Sequence, residues 1–311
     1  MIKDKDKLEA EKYLRLADEY YDKNDGKNAA AYYAKAADLG HPLGYYNLGW
    51  CYEFEVGLPF DYLAALKCYL EASNGGCIDA TYRMGRFYHG GWGVKQDHKM
   101  AAKLYEMAAD GGHAGAMNAL SGLYEYGIGV KKSKTRAREW LIKAAETGSA
   151  PRMRHLAEHY RKGELFPKSE KKAFLWHRAA AQAGDLVSMY EYGLYLYNGK
   201  LTEQDYAEAF KWFCRSADKG YKDAMYYVGL YHAKGIGMPV DHEKAIECFK
   251  MSKSANGLFA IGCYYRDGVF FEKDEKQAMH YFKMAADCGH DKALQMVYGD
   301  PKVRKVKIKN K

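Results

Sequence analysis

Small and apolar positions return along this chain at a fixed interval. The segments NLGWCY (47–52), RMGRFY (83–88), ALSGLY (119–124), HLAEHY (155–160), EYGLYL (191–196) and YVGLYH (227–232) carry a small residue in one slot. Those residues are Gly49, Gly85, Ser121, Ala157, Gly193 and Gly229, each 36 positions after the one before. Ala17 precedes the series and Gly262 follows it. A second series runs in phase: Ala29, Ala65, Ala101, Ala137, Ala173, Ala209, Ala245 and Ala278. Within a unit the apolar residues fall at i, i+1, i+4, i+5 and i+8, as at Ala80, Thr81, Met84, Gly85 and Tyr88. That spacing draws one stripe along a 3.6-residue helix. TRAREWLIKAAETG, in the fourth unit, gives a second helix with the same period.

Punctuation agrees with the pattern. Asp25, Asp61, Asp97, Ser133, Ser169, Asp205, Asp241 and Asp274 stand at one place in all eight units. Each is a residue type whose side-chain oxygen accepts from a free backbone N–H at a helix start. Gly40, Gly76, Gly112, Gly148, Gly184, Gly220 and Gly289 fit the left-handed position that closes a helix. The seventh unit alone is irregular, reading KMSKSANG with three residues lost. Every unit therefore predicts helix, turn, helix.

The alanine of the second helix and the small residue of the first let two backbones approach closely. The large series Tyr32, Cys68, Leu104, Trp140, Trp176, Trp212, Cys248 and Tyr281 is expected to fill the space between units, with Tyr124 and Tyr160. A pair of about 36 residues cannot bury its own apolar face. Stacking eight pairs predicts an all-α, right-handed α-solenoid with a 36-residue period. The expected organisation is a short polar segment (1–7), one solenoid domain (8–292) and a C-terminal end with a basic tail (293–311).

The unit A-x-x-x-L-G-x-x-Y-x-x-G-x-G-V, a cap, then K-A-x-x-W-Y-x-K-A-A-x-x-G resembles the Sel1-like repeat, a relative of the tetratricopeptide repeat. ATYRMGRFYHGGWGV with MAAKLYEMAADGG, and AMYYVGLYHAKGIGM with KAIECF, carry the resemblance best. It covers roughly 8–292, with local departures at the first, fifth and seventh units. The resemblance implies a scaffold or adaptor that binds partner proteins on a concave face lined by the first helices. Secreted members with a disulfide in each repeat are a poor match, because the seven cysteines here form no Cys-x-x-Cys spacing and their number is odd. Cys68, Cys248 and Cys263 are expected in core slots.

Composition adds limits. No stretch approaches the roughly 18 apolar residues of a membrane span. MIKDKDKLEAEKY has no apolar core of the kind a secretory leader needs. A cytoplasmic monomer is the expectation. The net charge is +8, but Lys302, Arg304, Lys305, Lys307, Lys309 and Lys311 supply most of it. The body is close to neutral, unlike most nucleic-acid binders. The tail reads as a solubilising end, with contact to nucleic acid or an acidic surface as the alternative.

Chemistry is thinly signalled, and no enzyme or cofactor is expected. HGGWGVKQD, YGIGVKKSK and KGIGMPVD are glycine-rich, yet no strand precedes them and the Gly-Lys-Ser/Thr ending of a phosphate loop is missing. The repeat explains them as turns. His155, Glu158 and His159 match a zinc-peptidase pattern, His-x-x-Glu-His, with both histidines on one helical face. No third ligand follows from the sequence, so the pattern stands only as an alternative ligand site.

Packing slots must repeat, whereas recognition slots are free to differ. Three positions before the small anchor come Leu14, Tyr46, Tyr82, Asn118, Arg154, Tyr190, Tyr226 and Phe259. Two before it come Arg15, Asn47, Arg83, Ala119, His155, Glu191, Tyr227 and Ala260. Tyrosine and arginine are favoured at interfaces. Tyr46, Asn47, Tyr82, Arg83, Asn118, Arg154, His155, Tyr190, Glu191, Tyr226 and Tyr227 are therefore the candidate partner-binding residues, the partner being an unidentified protein or peptide. Packing on the next first helix is the competing reading for the first of the two slots.

Overall fold

The computed structural model describes residues 4–299, and the basic tail expected to act as a solubilising end, Lys302 to Lys311, lies outside them. The described residues form seventeen helices and no strand. They are α1 (Asp4–Asp22), α2 (Gly26–Asp38), α3 (Pro42–Phe54), α4 (Tyr62–Asn74), α5 (Ile78–Gly90), α6 (His98–Asp110), α7 (Ala114–Tyr126), α8 (Lys134–Glu146) and α9 (Ala150–Lys162). Then come α10 (Glu170–Gln182), α11 (Leu186–Asn198), α12 (Tyr206–Ala217), α13 (Lys222–Lys234), α14 (His242–Ser252), α15 (Ala255–Asp267), α16 (Glu275–Asp287) and α17 (Asp291–Tyr298).

Two compact units divide the chain: Met1–Arg152 with Lys162–Lys168, and Met153–Arg161 with Ser169–Lys311. In the first unit α1 packs on α2, α3 on α4, α5 on α6 and α7 on α8, and each second helix also touches the next first helix. In the second unit α11 packs on α12, α13 on α14 and α15 on α16, with the same relay from pair to pair. Helix α17, which the pattern did not predict, follows α16 and buries Ala293 against Leu258, Ala285 and Ala286. It offers the last pair the start of a further first helix, so that pair does not end on an open apolar face.

All eight cap residues do what their chemistry predicts. Asp61 Oδ1, for example, accepts from the backbone N–H of Leu63 and Ala64 at 2.8 and 3.0 Å. Ser133 and Ser169 accept from Arg136 and Lys172. At the other end the closing glycine sits in left-handed space, as Gly112 does at φ +92°. A Cβ is strained there, which fixes glycine at the slot. The seventh second helix, α14, is cut to 11 residues and stops at Lys253 with φ +47°.

The core corrects one sequence expectation. The slot three after the alanine is only half-buried at Tyr32, Cys68, Trp140, Trp176, Cys248 and Tyr281. The deeply buried large side chain comes one residue later: Tyr33, Tyr69, Tyr105, Leu141, His177, Phe213, Phe249 and Phe282. This ring lies on the small anchor of the first helix. A Cβ added at Gly85 would stand 2.6 Å from the Tyr105 ring, and one at Gly262 2.5 Å from Phe282. Glycine is thus required by ring-to-backbone contact. At two of the three anchors that carry side-chain atoms the partner is not a six-membered ring, whereas Ala17 keeps Tyr33. Ser121 faces the Leu141 pair and donates to the Ala137 carbonyl at 2.8 Å, and Ala157 goes with the imidazole of His177. Among the cysteines, Cys51 and Cys77 are buried, whereas Cys68, Cys248 and Cys263 are half-buried. Their slots border the core without entering it.

Candidate partner-binding face

The slot three before the anchor is tied into the stack. Tyr46 lies 5.8 Å from Tyr69, Tyr82 5.7 Å from Tyr105, Tyr190 6.0 Å from Phe213 and Tyr226 5.7 Å from Phe249, centroid to centroid. Each therefore borders the buried ring of its own repeat. Several also reach the cap of the next first helix. Tyr82 stacks on His113 at 4.1 Å, Phe259 on His290 at 4.1 Å, and Tyr190 meets Tyr221 at 5.3 Å. Arg154 uses the same reach differently, placing Nε 3.0 Å from Asp185 Oδ2. Asn118 is half-buried and has partners of its own.

The slot two before the anchor divides. Arg83 is closed: Nη1 lies 3.1 Å from Glu53 Oε1, and the guanidinium covers the Phe54 ring at 5.4 Å. Glu53 is buried and also accepts from the Tyr69 hydroxyl at 2.6 Å. Asn47 is half-buried, and His155 is exposed beside His159 with ring centroids 4.7 Å apart. Tyr227 stacks on Phe213 at 4.7 Å and meets Tyr190 and Tyr197 edge-on at 5.7 and 5.6 Å.

Glu191 is the odd member. It is half-buried, yet among the described residues it makes no hydrogen bond or ion pair. Burial raises its pKa, the charges of Glu158 and Asp223 add to that, and Arg161 opposes it. The adjacent Tyr190 packs on Tyr221 and Tyr227 at ring-centroid distances of 5.3 and 5.7 Å. Burial foremost, and the negative charges of Asp223 and Glu191 among other neighbours, push all three phenols up. Their hydroxyls make no hydrogen bond to described residues. Three buried tyrosines of the stack are paired within the chain, while buried Tyr105 is not. Tyr33 donates to Asp18, Tyr69 to Glu53 and Tyr231 to the Tyr206 carbonyl.

The Sel1 repeat model matches residues 18–41, 42–77, 78–113, 114–149, 153–185, 186–221, 222–257 and 255–290. The chain belongs to the Sel1 repeat family. The last two matches overlap where α14 is short. A protective antigen of uropathogenic Escherichia coli strains displaying an SLR fold is similar over 93% of this chain, at 27% identity and a TM-score of 0.75. This chain spans 63% of that protein's length. A Sel1 repeat protein from Oxalobacter formigenes is similar over 77% of this chain and 98% of its own, at 25% identity and a TM-score of 0.64. No curated protein sequence matches the chain. Sel1 repeat proteins are generally protein-interaction scaffolds and typically non-catalytic.

Catalytic residue types meet at His177 of the fifth Sel1 repeat, beside Ser188 of the sixth. His177 is fully buried in the ring slot, with Nδ1 3.2 Å from Ser188 Oγ and Nε2 3.6 Å from Glu158 Oε1. Sequence reasoning missed His177 because it followed the neighbouring slot; the repeating ring four residues after the alanine was the available signal. Burial pushes the imidazole down to about 4, against the pull of Glu158. A serine, a histidine and a glutamate therefore lie in a row. Ser188, however, is fully buried, so no acyl group can reach its oxygen. Glu158 is bound to Arg161 at 2.6 Å, facing away from the zinc-peptidase role. Among the described residues no group of three or more His, Cys, Asp or Glu could hold a metal ion. No described helix is long and apolar enough to cross a membrane.

Proposed function

We propose that this Sel1 repeat protein is a non-catalytic adaptor that holds a protein or peptide partner along the face of its first helices, in the cytoplasm. One observation carries the reading: half-buried Tyr190, Tyr221 and Tyr227 of the second unit pack together at this face, with hydroxyls that make no hydrogen bond to described residues. Unused donors on half-buried rings are suited to contact with something outside the chain, and tyrosine gives large area at low ordering cost. In the second unit His155, Arg154 and Tyr226 belong to the same proposed slots, and in the first unit Tyr46, Asn47, Tyr82, Arg83 and Asn118 are the corresponding positions.

The test is affinity capture from native lysate with the intact chain, with Tyr190→Ala/Tyr227→Ala, and with Met251→Gln. Met251 is exposed beside Cys214 and Cys248, in a separate hollow of about 380 Å³. A captured protein lost only with the tyrosine pair supports the assignment. A partner retained by the tyrosine pair and lost with Met251→Gln moves the interface to the second helices.

A further inference from the structure

The sixth and seventh repeats treat one position differently. In the sixth, Trp212 of α12 is buried in one core cluster with Ala181 and Met189, and Tyr192 packs against it. Tyr192 meets the indole edge-on at 5.5 Å, and the Arg215 guanidinium covers it at 4.7 Å. The same slots 36 residues later hold Ala217, Met225, Val228, Cys248 and Met251. Alanine and methionine are kept, but both rings and the guanidinium are replaced by smaller or uncharged groups. Those five residues, with Cys214 of α12, line one hollow of about 380 Å³. The hollow therefore opens where the preceding repeat places its indole.

The lining suits an aromatic occupant. Cys214, Met225, Cys248 and Met251 bring four sulfur atoms, which are polarizable and make favourable contacts with rings, and methionine adapts to irregular shapes. Burial pushes the Cys214 thiol up to about 11 and raises that of Cys248, so both line the hollow uncharged. Apolar cavities left unfilled by the chain take up small aromatic molecules. The volume lies in the range of small-ligand sites. Met251 is exposed and marks the open side, in the slot from which Arg215 covers Trp212.

We propose that the hollow between α12, α13 and α14 is a binding site for a small planar aromatic molecule of indole size, seated as Trp212 is seated in the preceding repeat. The site is separate from the face assigned above and does not depend on it.

The experiment titrates the full chain with indole, with cyclohexanol as an apolar ring that is not planar, and with N-acetyl-tryptophanamide. Binding is read by calorimetry and by the methyl shifts of carbon-13-labelled methionine. Indole is expected to move the methyls of Met225 and Met251 and to bind with a Kd on the order of 1 mM or below. Cyclohexanol should bind at least about 10-fold more weakly, and N-acetyl-tryptophanamide no tighter than indole. Cys248→Trp returns the indole to the chain, and is expected to weaken added indole at least about 10-fold while raising the thermal midpoint. Val228→Phe narrows the hollow from α13 and should cause the same loss, which keeps the test decisive if Cys248→Trp does not fold. No shift of either methyl at about 5 mM indole overturns the proposal, as does equal binding of cyclohexanol. Indole binding that survives Val228→Phe and Cys248→Trp places the site elsewhere and overturns it too. N-acetyl-tryptophanamide binding more than about 10-fold tighter than indole overturns the small-molecule assignment in favour of a tryptophan side chain from a partner protein.

Discussion

Glu53 in the first unit and Glu191 in the second are the same chemical group in opposite situations. Glu53 is buried and accepts from both Arg83 and Tyr69. Glu191 is half-buried and accepts from none of the described residues. Removing a carboxylate from water costs free energy that only partners return. At Glu53 the partners are internal, and the result is a clamp between successive first helices. At Glu191 no internal partner offsets that cost. Exposure alone does not separate structural from recognition residues on a repeat face, since both slots are partly covered.

The comparison can be broken most forcefully from the closed side. Arg83→Ala leaves Glu53 buried with only the Tyr69 hydroxyl, and is expected to destabilise the first unit by about 3 kcal/mol. Urea unfolding at neutral pH, with hydrogen exchange over α3–α6, reads it. A change near zero would mean that the pair is ornamental and the contrast false.

The intermediate case is His177, whose Nε2 is buried without a hydrogen-bond partner. Its folded pKa, about 4, lies below the usual imidazole value. The unfolded chain therefore takes up a proton that the fold refuses, and stability present above about pH 6.5 is lost as pH falls towards about 4. The expected loss is on the order of 2–3 kcal/mol. Ala157→Gly/His177→Phe restores the glycine–ring pair of other repeats and should flatten that part of the pH profile, measured by denaturant midpoints from neutral to acid.

Two smaller changes sharpen the open side. Tyr227→Arg places a guanidinium in the slot that Arg83 fills in the first unit. It should add about 0.5 kcal/mol by pairing Glu191. Glu191→Gln should raise stability by about 0.3 kcal/mol at neutral pH. Its folded pKa is raised, so the gain appears as pH rises through the carboxylate range and vanishes in acid. Differential scanning calorimetry at two pH values detects either change.

Much of the architecture was legible because it is written many times. Eight capping residues, the glycine stops and the alanine series each repeat in register, and each has a local physical cause. The identity of the core ring was not legible from spacing alone. Tyr32 and Tyr33 are both large, and so are Trp212 and Phe213, and adjacent helical positions differ by only about 100° of rotation. Only packing on Gly85 or Gly262 shows which one points inward. The face was half-legible. Glu191 stood out as a variable residue, but its lack of a partner depends on residues 30 and more positions away, such as Asp223 and Glu158. Arg83 looked like an interface residue by the same rule and is an internal one, because Glu53 lies on the preceding first helix.

The fit between anchor and ring also sets rules for recombination. A break placed between a second helix and the next first helix exchanges complete pairs, so each anchor keeps the ring shaped to it. Breaks inside a pair are harmless where both parents carry glycine and a ring. They are expected to cost most at the fourth and fifth repeats, where the anchor is Ser121, whose hydroxyl donates to the Ala137 carbonyl, or Ala157, whose partner is the buried imidazole of His177. Those two repeats behave as indivisible cassettes, and a gene shuffled across this region is expected to keep its crossovers outside residues 121–141 and 157–177.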